Sequence, residues 1–395
     1  MTRPTTPPSM ATLILISAVS ILSLNMFLPS LPAMGRDFEV SYALINLSVA
    51  GYLAVTALLQ VIIGPLSDRF GRRPLVIWGF VLFALASAGC ALTDNIWVFM
   101  ACRLVQGAVI AGSALSRAIV RDLFPPQEAA SYMGYIAMVM ALAPMLGPFF
   151  GGLLDAALGW RATFWAFSAM GFATLALCWF DLGETHKQRS PTFLAQFRSY
   201  PALLGAPLFW AHSLCLTFAV GAFFVFLSGA PLVVQPVFDL GTAGIGAVLG
   251  SITGGFAFGN FLSGRYATRY ALGTMMIAGR LVATTGMVVG LAGFAVGIES
   301  LWLFVPCVMS VGLGNGLTLP AGNAGALSVR PDLAGSAAGL SGALQVGGGA
   351  VFTSLAGLAL AQYASPIALM GLMLVLILAG LAMAVWVRIM ERTAP

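Results

Sequence analysis

The chain has 395 residues, 59% of them hydrophobic and 8% charged, with a net charge of +5 and a mean hydropathy of +0.97. Soluble domains carry roughly 25% charged residues, so the composition speaks against a soluble enzyme or scaffold and for a chain embedded in a bilayer. The basic residues are spread over short loops without interleaved aromatics, which argues against a nucleic-acid surface and for topology and anionic-lipid contact. Twelve apolar runs follow in chain order, at about 11–32, 43–65, 75–93, 97–119, 129–154, 161–181, 207–230, 243–264, 271–298, 301–324, 334–363 and 366–388. Each is near the ~20 residues that cross a hydrocarbon core as a helix. Their unbroken character, without period-two alternation, rules out an outer-membrane barrel.

The first run is too long for a signal-peptide core and no A-x-A site ends it, so it is expected to stay as a helix. With the N-terminus inside, Arg69, Arg72, Arg73, Arg117 and Arg121 fall on the cytoplasmic side, and the outer loops hold only Arg36 and Arg161. That bias predicts two cytoplasmic termini. The longest polar stretch, Gly183 to Tyr200, splits the chain into a six-helix half (1–182), a cytoplasmic linker (183–205) and a second half (206–395). A short surface helix is expected around Phe193–Tyr200. Cys90, Cys102, Cys178, Cys215 and Cys307 all lie in apolar runs without C-x-x-C spacing, which suggests packing rather than disulfides or a metal site.

The two halves look like copies. Arg103 to Arg121 aligns without gaps on Gly312 to Arg330, placing Gln106 on Asn315 and Gly107 on Gly316. Phe27-Leu-Pro-Ser-Leu-Pro32 likewise echoes Phe226-Leu-Ser-Gly-Ala-Pro231. Two such halves with a central linker resemble the major facilitator fold, and the resemblance implies a substrate site near the midplane, between halves that rock against each other.

Several motifs sharpen this. Gly64-Pro-Leu-Ser-Asp68-Arg69-Phe-Gly71-Arg72-Arg73 reads as a charged, glycine-bearing turn, a loop between two apolar runs. It resembles the signature between helices 2 and 3 of the major facilitator superfamily of transporters. The resemblance implies that Asp68 pairs with a basic residue below helix 4, Arg121 or else Arg117, and helps close the cytoplasmic side. Helix 5 carries Gly134 and then Ala143-Pro144-Met-Leu-Gly147-Pro148-Phe-Phe-Gly151-Gly152, similar to that superfamily's antiporter motif with Ala143 replacing one glycine. The motif implies export. Its small residues suit close helix approach, and its prolines bend the helix.

Arg103-Leu-Val-Gln106-Gly107 in helix 4 resembles the R-x-x-Q-G motif. An arginine about 9 Å inside Trp97, at about 1.5 Å per residue, is a functional candidate, with snorkelling to the outer interface as the alternative. Asn25, in Leu24-Asn25-Met-Phe27-Leu-Pro29-Ser-Leu-Pro32, stands in a stretch similar to the helix-1 signature of the bicyclomycin and chloramphenicol resistance exporters. That family has an acid where this chain has Asn25, so the implied proton carrier is missing. Proton coupling must then use Asp122 or His212, or be weak. Arg280, inside helix 9, is read as structural.

The resemblance spans nearly the whole chain. It implies a multi-pass, all-α drug exporter of the bacterial inner membrane, acting as a monomer without cofactor or metal, with protons as the coupling ion. Helices 1, 2, 4, 7, 10 and 11 offer Asn25, Phe27, Tyr52, Arg103, Gln106, Phe223, Phe224, Asn315 and Gln345 to a small lipophilic substrate. Gating is expected of Asp68, Arg69, Arg72, Arg117, Arg121, Gly147 and Pro148. An exporter or facilitator of a small metabolite is the alternative. An intramembrane enzyme is remote, for want of a carboxylate pair or H-E-x-x-H.

Overall fold

The computed structural model describes the backbone of residues 8–124, 126–185, 200–266, 269–330 and 333–393; within these, some side chains, Asp68, Arg121 and Gly134 among them, lie outside the described residues. Helix α1 is broken, running as Met10–Asn25, a 3₁₀ turn Leu28–Ser30 and Leu31–Asp37. Then come α2 (Tyr42–Phe70), α3 (Arg72–Leu92) and a second broken helix, α4, formed by Ile96–Gln106, a 3₁₀ turn Gly107–Val109 and Ile110–Leu123. Helices α5 (Pro126–Leu158) and α6 (Arg161–Asp181) complete the first half. After a short helix, Tyr200–Leu204, the second half follows as α7 (Pro207–Phe238), α8 (Thr242–Tyr266), α9 (Leu272–Ala295), α10 (Leu301–Ser328), α11 (Ala334–Gln362) and α12 (Pro366–Thr393). No strand occurs among the described residues.

Local chemistry explains the boundaries. Ser9, Ser41, Asn95 and Ser300 cap α1, α2, α4 and α10 by accepting the free N–H groups of their first turns. Eleven helices among the described residues are long and apolar enough to span a bilayer, and α5 adds the shorter apolar piece Leu146–Leu158. Large side chains such as Leu58, Trp78, Phe180 and Val375 are exposed on the outside of the bundle, as a lipid-facing surface requires.

Two boundaries differ from the sequence reading. The charged stretch before Arg72 is not a loop: α2 runs on through Phe70, and the turn is Gly71 alone, at φ +98°. The left-handed conformation suits glycine, and a Cβ there would meet the Glu184 carboxylate. Helix α7 continues past the expected end of its run at 230, with Pro231 and Pro236 inside it, so the whole Phe226–Pro231 segment is helical. A proline in a spanning helix loses one backbone donor, a loss that packed neighbours tolerate. Of the expected surface helix, residues before Tyr200 lie outside the described residues.

The repeat is visible in the packing. Glu39 and Asp239, two of the few non-glycine residues with positive φ (54° and 49°), occupy the same place before α2 and before α8. Gly79 on α3 presses on the Ala108 carbonyl of α4, and Gly279 on α9 presses on the Gly314 carbonyl of α10. Glu184, just past α6, accepts the Arg72 N–H at the start of α3 (2.9 Å). Glu391, at the end of α12, accepts the Gly273 N–H at the start of α9 (3.1 Å). Each half thus caps its third helix with a carboxylate supplied at the end of its sixth, where the N-terminal dipole favours negative charge. The halves meet along α2 with α11 and α5 with α8, and α1 meets α7 at the end that carries Trp160.

Candidate functional site

Arg103 stands one turn before the break in α4 and packs against Phe27 in the break of α1. Its side chain is fully buried. The guanidinium lies 4.2 Å from the Phe27 ring centroid, 4.6 Å from Tyr52 and 5.9 Å from Phe164. Nη1 donates to Gln106 Oε1 and, at 3.5 Å, to the Ser23 carbonyl. Gln106 is itself anchored, donating to Ser87 Oγ at 2.6 Å, and Tyr52 OH shares a 2.7 Å hydrogen bond with Ser23 Oγ. No carboxylate bridges to Arg103 among the described residues, and its Nε and Nη2 have no acceptor. Rings around a desolvated cation contribute ~2 kcal/mol or more at best, so the charge is held by aromatic faces and one amide rather than by an ion pair. Burial this complete excludes snorkelling. Asn25, buried on the same α1 segment, has an unpartnered Oδ1.

Beside this cluster runs the glycine face of α5. A Cβ on Gly151 would run into the Met26 carbonyl of the α1 break, while Gly147 faces Leu22 and the Met26 backbone. The same helix turns its other edge to the second half: Gly152 abuts the Thr242 carbonyl of α8, and Gly246 of α8 abuts the Pro148 carbonyl. The Gly147–Gly152 motif is therefore a three-way joint between α1, α5 and α8.

At the Trp160 end the halves are sealed by hydrogen bonds. Tyr42 OH donates to the Ser228 carbonyl of α7, and Asn46 Nδ2 donates to the Thr353 carbonyl of α11 at 2.8 Å. A cavity of about 530 Å³ opens beside the seal, lined from both halves by Pro32, Arg36, Tyr42, Leu232 and Gln235 among others. Arg161 holds the same end of the first half together, bonding Asp37 at 2.5 Å and Asp94 at 2.7 Å. A Tyr42→Phe, Asn46→Ala double substitution removes two inter-half bonds worth about 1 kcal/mol each. It is expected to shift the balance between closed and open at this end about tenfold or more. Spin-label distances across the Trp160 end check this; unchanged distributions would show that the bonds do not form the seal.

At the opposite end, Arg72 is buried and pairs with Asp122 of α4 (3.0 Å) while donating to Ser67. Arg73 donates to the carbonyls of Leu182 (2.6 Å) and Trp179 (3.0 Å). Arg69 is exposed over the Phe70 ring, and Arg117 is exposed on α4. The contacts of the Asp68 and Arg121 side chains lie outside the described residues.

The candidates from sequence thus separate into groups. Phe27, Tyr52, Arg103 and Gln106 come together, and Asn25 is buried just before Phe27 in the chain. Asn315 belongs instead to a second buried cluster: it accepts from Arg280 Nη2 at 2.5 Å and donates to the Ala219 carbonyl at 3.1 Å, while Arg280 Nε donates to Thr318 at 3.1 Å. Arg280 therefore ties α9 to α10, the structural role expected of it. Phe224 is buried against Gly349 of α11, with Phe223 at its edge, and Gln345 bonds within its own helix to Ser341. His212 is buried against Gly325 of α10 with Nδ1 unpartnered. Asp122 is committed to Arg72. Sequence reading passed over Ser23, Ser87, Phe164, Tyr42 and Asn46, since small polar and aromatic residues in apolar helices carry no signal until the fold pairs them.

Two repeated six-helix halves, a sealed end and a buried polar cluster beside a helix break define a membrane transporter. The chain belongs to the Major Facilitator Superfamily, whose description it matches over residues 13–353. It is similar to YdgK, an uncharacterized MFS-type transporter of Bacillus subtilis, at 32% identity over 90% of each chain. It is also similar to the chloramphenicol resistance protein of Pseudomonas aeruginosa, at 29% identity over 82% of this chain and 78% of that one. The bicyclomycin resistance protein homolog of Haemophilus influenzae is 27% identical over 87% of this chain and 89% of the relative. Among solved structures, a bacterial homolog of the human lysosomal transporter Spinster, inward-facing and occupied, superposes with a TM-score of 0.76 at 16% identity, covering 98% of this chain and 96% of that one. That likeness shows the fold. Family and neighbours together make the chain a multi-pass transporter, not an enzyme.

Proposed function

We propose that the protein exports small lipophilic compounds of the antibiotic type across the bacterial inner membrane, by alternating access between its two halves. The observation that carries this reading is the α5 joint: the glycine face that marks exporters in sequence packs on the α1 break and on the opposite half at once. A movement of α5 against α8 is thereby coupled to the helix that carries Asn25 and Phe27. The similarity to relatives named for chloramphenicol and bicyclomycin resistance supports the substrate class.

In this reading both termini are cytoplasmic, the Trp160 end faces outward, and the protein works as a monomer without cofactor or metal. Asn25, Phe27, Tyr52, Arg103 and Gln106 form the first half's contribution to the substrate path. Phe223, Phe224, Asn315 and Gln345 form the second half's. Asp68 with Arg121 or Arg117, together with Arg69 and Arg72, governs the cytoplasmic end, and Gly147 and Pro148 form the pivot. Protons are the proposed coupling ion, through Asp122 or His212, since Asn25 cannot titrate. Because Asp122 is already paired, His212 is the better placed of the two.

The test is uptake of a drug panel into inside-out vesicles, with and without a pH gradient. Accumulation of chloramphenicol-like compounds that collapses with the gradient is expected. Accumulation indifferent to the gradient removes the proton coupling, and a panel without any accumulation removes the exporter reading. Among the described residues no carboxylate bridges to Arg103, which favours one second reading, a metabolite exporter with weak coupling; the same panel separates it by including amino-acid and sugar derivatives.

A further inference from the structure

We propose that Arg103 is a receptor for an anionic group on the substrate, so that the protein prefers lipophilic acids, carboxylates above all, to neutral compounds and rejects cations. The inference deepens the exporter reading above and rests on it for the claim that the bound compound is carried across.

The argument begins with the donors of Arg103. A guanidinium has five N–H donors in a fixed plane. Here Nη1 is engaged by Gln106 and Ser23, whereas Nε and Nη2 have no acceptor although the side chain is fully buried. Nε and Nη2 lie on one edge of the plane, and that edge grips a carboxylate through two parallel hydrogen bonds. A buried donor left without an acceptor is costly, and a buried charge without a partner is more so.

Among the described residues the protein supplies no acceptor to Nε or Nη2. Among the described residues no carboxylate bridges to Arg103. Asn25, on the α1 segment that supplies Ser23 and Phe27, is an amide, and its own Oδ1 is unpartnered. The second half repeats the imbalance. Arg280 is fully buried, donates to Thr318 and Asn315, and keeps Nη1 without an acceptor. Among the described residues, each half therefore holds a buried cation that no carboxylate bridges, and such charges favour a negative ligand.

Access follows from the break in α1. Phe27, the nearest ring over the guanidinium, lies in the turn between Asn25 and the 3₁₀ segment rather than inside a regular helix. Displacing it requires a side-chain rotation and leaves the helical ladder of α1 intact. The adjacent α5 joint packs its glycine face on Met26, so movement of the halves bears directly on this turn.

The test uses three biphenyl probes of one shape: the 4-carboxylate, the 4-carboxamide and the 4-methylammonium. Their binding to the purified protein is measured at pH 7, with transport of all three into inside-out vesicles followed in parallel. The carboxylate is expected to bind about tenfold more tightly than the carboxamide, and the ammonium most weakly. Arg103→Lys, which keeps the charge but loses the fork, is expected to remove most of that advantage. Asn25→Asp is a second variant, independent of whether an altered Arg103 folds. It offers an internal acceptor to the same cluster, and should weaken carboxylate binding while admitting the ammonium. Equal binding of carboxylate and carboxamide, or an advantage that survives both substitutions, overturns the proposal. Carboxamide transport without a carboxylate preference would do so while sparing the exporter reading. A carboxylate preference without transport of any probe would sink the exporter reading and leave the anion site standing.

Discussion

Gly151→Ala is expected to lower the melting temperature of the purified protein and to suppress export, although it adds a single methyl group. In an ordinary helix position the exchange of glycine for alanine stabilises by up to ~1 kcal/mol, because alanine is the better helix former. At Gly151 the new Cβ has no room. It would run into the Met26 carbonyl, a backbone atom that cannot rotate away as a side chain can. Either α5 or the α1 break must shift, and overpacking of this kind costs about 1–3 kcal/mol. The shift would fall on the turn that places Phe27 over Arg103. Gly254→Ala on α8 is the matched control, since its Cβ would meet only the end of Met309, at 4.0 Å. The control is expected to be neutral or slightly stabilising with export intact. Thermal melting and vesicle transport of the two variants read the difference; a Gly151→Ala protein as stable and active as the control would mean that α1 and α5 do not need this approach.

Gly151 also shows what the sequence discloses. Twelve spans, two repeated halves and the transporter family were legible because each rests on a long-range regularity: apolar length, basic-residue bias, a repeat of about two hundred positions and motifs with fixed spacing. The α5 motif announced close packing, but not that its two edges serve different partners, since one spacing cannot say which backbone lies opposite. The Arg103 cluster was half legible. Asn25, Phe27, Tyr52 and Gln106 were marked by their depth and motifs, whereas Ser23, Ser87 and Phe164 are unremarkable until three helices converge. Asn315 was legible as a buried polar group but not in its partner. It is the repeat counterpart of Gln106, yet its buried arginine comes from α9 instead of its own helix, so one pattern of alignment covers two different constructions. The charged stretch before Arg72 misled: its residues read as a loop, but α2 needs only one left-handed glycine to end.

The expected coupling between Arg72 and Asp122 follows from where that pair sits. Its side chains are 5% and 18% exposed, whereas the Arg161–Asp94 pair at the other end is 35% and 93% exposed. Exposed pairs contribute ~0–1 kcal/mol because water competes for both ions. A pair largely removed from water is not necessarily stabilising as a whole, but loss of one partner leaves the other charged and poorly solvated. A double-mutant cycle on Arg72→Ala and Asp122→Ala is therefore expected to give a coupling energy of about 1–3 kcal/mol by thermal or denaturant unfolding. The same cycle on Arg161 and Asp94 should give a few tenths of a kcal/mol, screened further by salt. The Glu184 contact does not confuse the comparison, because it is made to the backbone N–H of Arg72 and survives the substitution. The pair joins the start of α3 to the end of α4, both in the first half, so its loss is expected to loosen that half internally rather than to release one half from the other. Should the cycle on Arg72 and Asp122 come out additive while spin labels across the halves report opening, Arg72 would be acting between the halves after all, and its bond to α4 would be incidental.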